Sequence, residues 1–165
     1  MVKILLINGP NLNLIGEREP DLYGHETLAT LESRLSQRGI EREVSVECHQ
    51  SNHEGILIDL VHSQRRLSDH PADGIIINPG AYTHTSVALR DALILSQLPI
   101  VEVHISNLAQ RETFRQRSLI SDVVLGTIGG FGIYGYELAL FALINHLSVG
   151  ANEASGSHSL GPDQH

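Results

Sequence analysis

The chain has no tryptophan, one cysteine and one lysine, and each scarcity removes a class of function. Aromatic residues make up 4% of its 165 residues, too few for the stacking platforms that single-stranded nucleic acid or a flavin ring needs. Cys48 stands alone, so no intrachain disulfide is possible. Its place in an apolar, strand-like run predicts a buried, inert thiol and suits a reducing compartment. Lys3 lies at the amino end of the first apolar run, the wrong end of a parallel strand for a ligand site, which excludes Schiff-base chemistry there. Long hydrophobic runs are also missing. The N-terminal one, Ile4 to Ile7, is too short for a signal-peptide core, and no later run reaches the length of a membrane span. These readings predict a cytoplasmic protein without membrane contact.

Positive charge is sparse, with 11 Lys and Arg against 19 Asp and Glu and a net charge of -8. That field repels phosphate backbones, so no nucleic acid partner is expected, although a local Arg cluster can still hold a small anion. A hydrophobic content of 41% and a charged content of 18% are globular values. The length suits one domain that buries its core without disulfides or a structural metal. That domain is expected over residues 1–149. Residues 150–165, rich in Gly, Ser, Asn and His without periodicity, read as a frayed or disordered tail.

Several familiar motifs are absent or incomplete. No Gly-x-Ser-x-Gly elbow supplies a hydrolase nucleophile. His49 and His53 straddle a strand-to-helix turn with no His-Glu-x-x-His pattern, so no metal site is expected. Asn8 and Asn78 stand where a receiver domain would carry carboxylates, and Asn-Gly-Pro-Asn-Leu-Asn after the first strand lacks the hydroxyls of an FMN phosphate loop. Gly130-Phe-Gly132-Ile-Tyr-Gly135 matches the dinucleotide fingerprint in letters. It lacks the following strand with its acidic residue, so tight packing at a helix start is the preferred reading.

What is present is a strict alternation of strand-like and helix-like segments. Apolar, β-branched runs occur at Val2 to Ile7, Val44 to Cys48, Gly74 to Ile77, Pro99 to His104 and Val123 to Ile128. Leu28, Leu31 and Leu35 share one helical face, with Thr27 as cap and Gly39 as stop, and Ile56, Leu57, Leu60 and Val61 form a second stripe. Thr85 to Leu98, Arg111 to Ser118 and Tyr134 to Leu147 complete the helices. The pattern predicts an α/β protein, a flavodoxin-like doubly wound sheet of about five parallel strands covered on both faces.

Three strands end in polar clusters: Asn8-Gly-Pro-Asn11, Asn78-Pro-Gly-Ala-Tyr-Thr-His84 and His104-Ile105-Ser106-Asn107. Ligands bind outside the carboxyl ends of such strands, which makes these clusters candidates for one pocket. Glu102 lies two positions before His104 on the same strand face, placed to orient its imidazole. The hydroxyls and free backbone donors around His84 suit an anion or a polyol, although helix capping competes for them. Arg18 and Tyr23 share a Gly- and Pro-bounded loop long enough to act as a lid. A guanidinium beside a phenol favours the phenolate, turning a poor base with a reference pKa of about 10 into a usable one. Among Arg111, Arg115 and Arg117, a bidentate guanidinium can hold a carboxylate.

Four of these segments in order and spacing resemble type II 3-dehydroquinate dehydratase. They are Asn8-Gly-Pro-Asn11-Leu-Asn-Leu-Ile-Gly16, Arg18-x-Pro-x-x-Tyr23-Gly24, Asn78-Pro-Gly-Ala-Tyr-Thr-His84 through Asp91, and Glu102-Val-His104-Ile-Ser106-Asn107. The resemblance runs from residue 2 to about Leu147. It implies a cofactor-free and metal-free hydro-lyase that converts 3-dehydroquinate to 3-dehydroshikimate through an enolate, in the shikimate pathway of aromatic amino acid biosynthesis. Tyr23 would be the base, Arg18 its activator and His104 the acid, while a water held by Asn11 stabilises the enolate. Asn78 and His84 would bind ring hydroxyls, Ile105, Ser106 and Arg115 the carboxylate, and Asp91 would reach a neighbouring subunit's site in a homo-oligomer, a dodecamer of trimers. The competing reading is a non-catalytic protein that binds a quinate-like or nucleotide ligand; the matched base and acid argue against it.

Overall fold

The computed structural model describes residues 1–17 and 26–156, the last six of them by backbone alone. The apolar runs form β1 (Val2–Asn8), β2 (Val44–Gln50), β3 (Gly74–Asn78), β4 (Ile100–His104) and β5 (Gly126–Gly129). They pair in parallel in the order β2-β1-β3-β4-β5, the flavodoxin-like winding. Between and after them run α1 (Leu28–Ile40), α2 (Glu54–Ser63), α3 (Val87–Ser96) and α4 (Tyr134–Gly156). Thr27 and Ser86 begin α1 and α3 by accepting hydrogen bonds from the amides of Thr30 and Leu89.

The period of two along each strand sorts the core into two layers. Ile4, Leu6, Ile76, Val101 and Val103 meet Leu31 and Leu35 of α1 and Tyr136 and Leu140 of α4. Leu5, Ile7, Ile75, Ile77 and Ile100 meet Leu57 and Val61 of α2 and Leu89 and Leu93 of α3. Each fully buried aliphatic chain of this kind contributes about 1.5–3 kcal/mol, which is why the strands read as unbroken apolar runs.

Local boundaries depart from the sequence reading where a contact overrides a pattern. Gly39 is inside α1, not its stop. A Cβ there would lie 2.8 Å from the Val44 carbonyl oxygen, so the residue serves the close approach of helix to strand. Ile56 is exposed, and the buried stripe of α2 is Leu57 and Val61. The expected helix over Arg111 to Ser118 is instead a 3-10 turn at Thr113–Arg115 with irregular chain around it. Its one large apolar residue, Phe114, is exposed, so no stripe exists to dock a helix. β5 begins at Gly126; Val123 and Val124 pack under the second core layer from a turn. Helix α4 runs on to Gly156, seven residues into the segment read as tail, and residues 157–165 lie outside the described residues.

The winding reverses between β1 and β3, whose carboxyl ends lie side by side with Asn8 opposite Asn78. The chain leaving β1 crosses the chain leaving β3 so closely that a Cβ on Gly9 would sit 2.2 Å from the Pro79 carbonyl oxygen. Only glycine permits this crossing. Among the described residues, no helix is long and apolar enough to cross a membrane.

Candidate active site

A cavity of about 330 Å³ opens at the carboxyl ends of β1, β3 and β4, a size that suits a small substituted ring. Asn11 enters it from the loop after β1, Asn78 and His84 from β3 and its following turn, and His104, Ile105, Ser106 and Arg115 from β4 and beyond. The structure thus brings together seven residues that the sequence nominated.

On the side of the strand reversal, the site rests on neutral polar groups. The Tyr136 hydroxyl donates to Asn8 Oδ1 at 2.8 Å and accepts from Asn78 Nδ2 at 2.8 Å. Asn78 Oδ1 in turn accepts from the Gly80 amide at 3.1 Å. These bonds fix which end of the Asn78 amide is oxygen and which is nitrogen. Burial pushes the Tyr136 phenol above its usual range, so it stays a neutral hydroxyl. Asn11 adopts left-handed backbone, with φ of 66°, a conformation Asn tolerates better than most residues. Its amide donates to Asn52 Oδ1 at 2.9 Å, and Asn52 is held by Gln50 Nε2 and the Tyr82 hydroxyl.

On the β4 side, the site rests on a charge. Glu102 is completely buried and His104 is 5% exposed. His104 Nε2 lies 2.6 Å from Glu102 Oε1, as their shared strand face requires. A carboxylate that accepts from Nε2–H sets the tautomer, leaving Nδ1 as the ring nitrogen for the pocket that His104 lines. Glu102 accepts two further bonds, from Ser118 Oγ at 2.7 Å and Thr127 Oγ1 at 3.1 Å. Thr127 is its direct partner across the β4–β5 ladder.

His84 Nδ1 lies 2.7 Å from the Arg117 carbonyl oxygen. A carbonyl only accepts, so Nδ1 carries the proton and a neutral His84 presents Nε2 as an acceptor, suited to a ligand hydroxyl. Arg111 donates to Ser106 Oγ at 3.1 Å and also lines the cavity. The Arg115 guanidinium is half-exposed and has Glu112 Oε2 at 3.9 Å, a loose pairing that leaves its fork available to an anion. Two guanidinium groups and one carboxylate at the rim make the mouth locally positive in a chain whose overall charge is negative.

Asp91 does not line this cavity; it is exposed on α3. Arg18 and Tyr23 lie outside the described residues. Sequence reasoning missed Tyr136, Ser118, Thr127 and Asn52, which touch the site only through other residues. Their one signal was placement: Thr127 two residues before a strand end, Tyr136 in the first turn of the last helix. Among the described residues, no group of three or more His, Cys, Asp or Glu could hold a metal ion. His49 pairs with Glu47 at 2.7 Å, and His53 is exposed ahead of α2. The Gly130 and Gly132 amides donate to the carbonyls of His104 and Ile105, so the fingerprint-like loop spends these donors on the protein itself.

The model of the family described as dehydroquinase class II matches residues 2–144. A 3-dehydroquinate dehydratase of Prochlorococcus marinus (strain MIT 9211) is 51% identical over 146 residues, covering 88% of this chain and 96% of its own. One of Bacillus cytotoxicus is 53% identical, covering 89% of this chain and 98% of its own. The crystal structure of type II dehydroquinase from Butyrivibrio crossotus superposes with a TM-score of 0.80 at 45% identity, over 89% of this chain and 97% of that one. A 3-dehydroquinate dehydratase-like protein from Bifidobacterium longum is more distant, with a TM-score of 0.64 at 30% identity over 90% and 99% of the two chains. With half its residues identical to relatives matched along nearly their whole length, and a family match from β1 well into α4, the chain belongs to the class II dehydroquinase family.

Proposed function

We propose that this protein is a type II 3-dehydroquinate dehydratase, a hydro-lyase that converts 3-dehydroquinate to 3-dehydroshikimate and so serves the shikimate pathway. The observation that carries the reading is the buried Glu102–His104 pair at the wall of a cavity of substrate size with guanidinium groups at its mouth.

Elimination of water next to a ketone requires a base for the carbon-bound proton, stabilisation of the enolate and an acid for the departing hydroxyl. Tyr23, with Arg18 favouring its phenolate, takes the proton from the carbon beside the ketone. The electron pair moves into the carbonyl, and the enolate oxygen is met by a water that Asn11 holds. His104, carrying the charge that Glu102 balances, gives its proton to the hydroxyl on the next carbon; the enolate collapses, the C–O bond breaks and water leaves. Arg115, with the backbone at Ile105 and Ser106, takes the substrate carboxylate, while His84 Nε2 and the Asn78 amide take ring hydroxyls. No step calls for a cofactor.

The same reading extends to assembly. Asp91 sits among exposed Val87, Ile94 and Leu95 on α3, an apolar face with an acidic residue that fits a neighbouring subunit in a homo-oligomer, by family a dodecamer of trimers. A cytoplasmic setting is part of the proposal, and the free thiol of Cys48, pushed up to about 12 by burial and the nearby Glu32, is in keeping with it.

The test is to mix chelator-dialysed protein with 3-dehydroquinate and follow the ultraviolet absorbance of the conjugated enone carboxylate. Absorbance should rise with the wild type and stay nearly flat with Tyr23→Phe at unchanged fold. A flat wild-type trace from folded protein, with tight ligand uptake by calorimetry, would replace the enzyme by a binding protein.

A further inference from the structure

A buried carboxylate remains ionised only where donors replace its lost water. Glu102 is fully buried, and the ion pair it makes among the described residues is with His104. No guanidinium or ammonium among the described residues holds its charge. Among the described residues, its other donors are two hydroxyls, Ser118 Oγ at 2.7 Å and Thr127 Oγ1 at 3.1 Å.

Of the two, Ser118 is the better determined. Its Oγ accepts from the amides of Ile120 and Ser121, both at 3.1 Å. With those acceptor positions used, its one proton is directed to Glu102 Oε1. The peptide carrying Ser118 is itself anchored. The Leu119 amide donates to the Thr83 carbonyl at 2.8 Å, while Arg90 of α3 donates to the Leu119 carbonyl and pairs with Asp122. The hydroxyl therefore has a fixed place and a fixed direction.

We infer that Ser118 is a positioning residue for the dehydration. Its locked hydroxyl, seconded by Thr127 from β5, holds Glu102 as an acceptor and through it keeps His104 with Nε2–H inward and Nδ1 toward the substrate. This rests on the role proposed for His104. Besides His104, the charged and titratable groups among the described residues that line the same cavity are His84, Arg111, Glu112 and Arg115, and none of these four pairs with Glu102. The two hydroxyls are thus the donors that hold Glu102 against His104.

The experiment compares wild type, Ser118→Ala, Ser118→Thr and Thr127→Val in the full chain. Ser118→Ala removes a donor to a carboxylate, so the pair binds its proton more tightly and its apparent pKa rises. The alkaline limb of kcat should move up by about half a unit to one unit. Kcat should fall about tenfold, the scale of a hydrogen bond to a charged group, with KM within about twofold. Thr127→Val should move the limb the same way by less, and Ser118→Thr, which keeps the hydroxyl, should restore it. The second readout is an NMR titration of isotopically labelled His104 in the same four proteins, which needs no turnover. If the wild type fails to dehydrate 3-dehydroquinate, the proposed function falls while this titration still decides the role of Ser118. An unmoved His104 titration in Ser118→Ala, or the same shift in Ser118→Thr, would overturn the inference, as would a loss of kcat that follows a lowered melting temperature at an unmoved pH profile.

Discussion

Two polar clusters flank the cavity on opposite faces of the sheet, and they solve different problems. Asn8, Tyr136 and Asn78 are joined by hydrogen bonds of 2.8 Å between groups that are neutral at any ordinary pH. Glu102, His104, Ser118 and Thr127 are built around a carboxylate and an imidazole that exchange charge. The first cluster can fix geometry and nothing else. The second can both fix geometry and hold a proton, and the proposed function accordingly puts the chemistry on β4 and the aiming of a substrate hydroxyl on β3. Burial serves both ends. It keeps Tyr136 protonated, and it forces Glu102 to keep every donor it has.

The contrast can be broken most severely at the charge. Glu102→Gln keeps the shape of the side chain and an oxygen for His104, yet removes the anion that balances the imidazolium. Kcat should fall by about 10²- to 10⁴-fold, the range of a general acid's contribution, while the melting temperature changes little. Steady-state kinetics beside a thermal melt would show whether activity and fold separate in this way.

Tyr136→Phe makes the opposite cut. It strands Asn8 Oδ1 and Asn78 Nδ2 in a dry interior, each having lost the same partner. Stability in denaturant should drop by about 1–3 kcal/mol, KM should rise a few-fold as Asn78 loses its aim, and the pH profile of kcat should keep its shape. A moved pH limb in this variant would erase the distinction between the two clusters.

The smallest effect is expected at Asp122→Asn, which removes the exposed partner of Arg90. The Arg90 hydrogen bond holds the Asp122 carboxyl below its ordinary range, so the pair stabilises the fold above the unfolded pKa. That contribution fades as pH falls through the lower, folded value. The melting curves of wild type and variant should differ slightly at neutral pH and converge in acid, and a gap that persists in acid would count against the pairing.

The architecture was legible in the sequence because the central strands β1, β3 and β4 are buried on both faces. Runs such as Ile4 to Ile7 and Ile75 to Ile77 have no competing explanation in a chain with regular helical segments between them. The pocket was legible because Asn78 and His104 end their strands and His84 and Ser106 lie in the polar segments that follow. Legibility failed where a residue acts through a partner that only the fold supplies. Ser118 sits 16 positions from Glu102 and Tyr136 sits 128 from Asn8, and no periodicity carries such distances. It failed again at Arg111 to Ser118, where good helix formers without a buried stripe settled into turns. At Val123 and Val124, β-branched residues pack half-buried against the core from a turn just ahead of the strand.

That irregular stretch carries more than its secondary structure suggests. Within four residues it delivers the Arg115 guanidinium to the cavity, the Arg117 carbonyl to His84 and the Ser118 hydroxyl to Glu102. The spacing among these three is fixed by a single short run of backbone. Single replacements of exposed neighbours such as Phe114 leave that spacing intact, whereas one inserted or deleted residue displaces all three groups together. Exposed letters in the stretch such as Phe114 are therefore cheap to change, while its length is not.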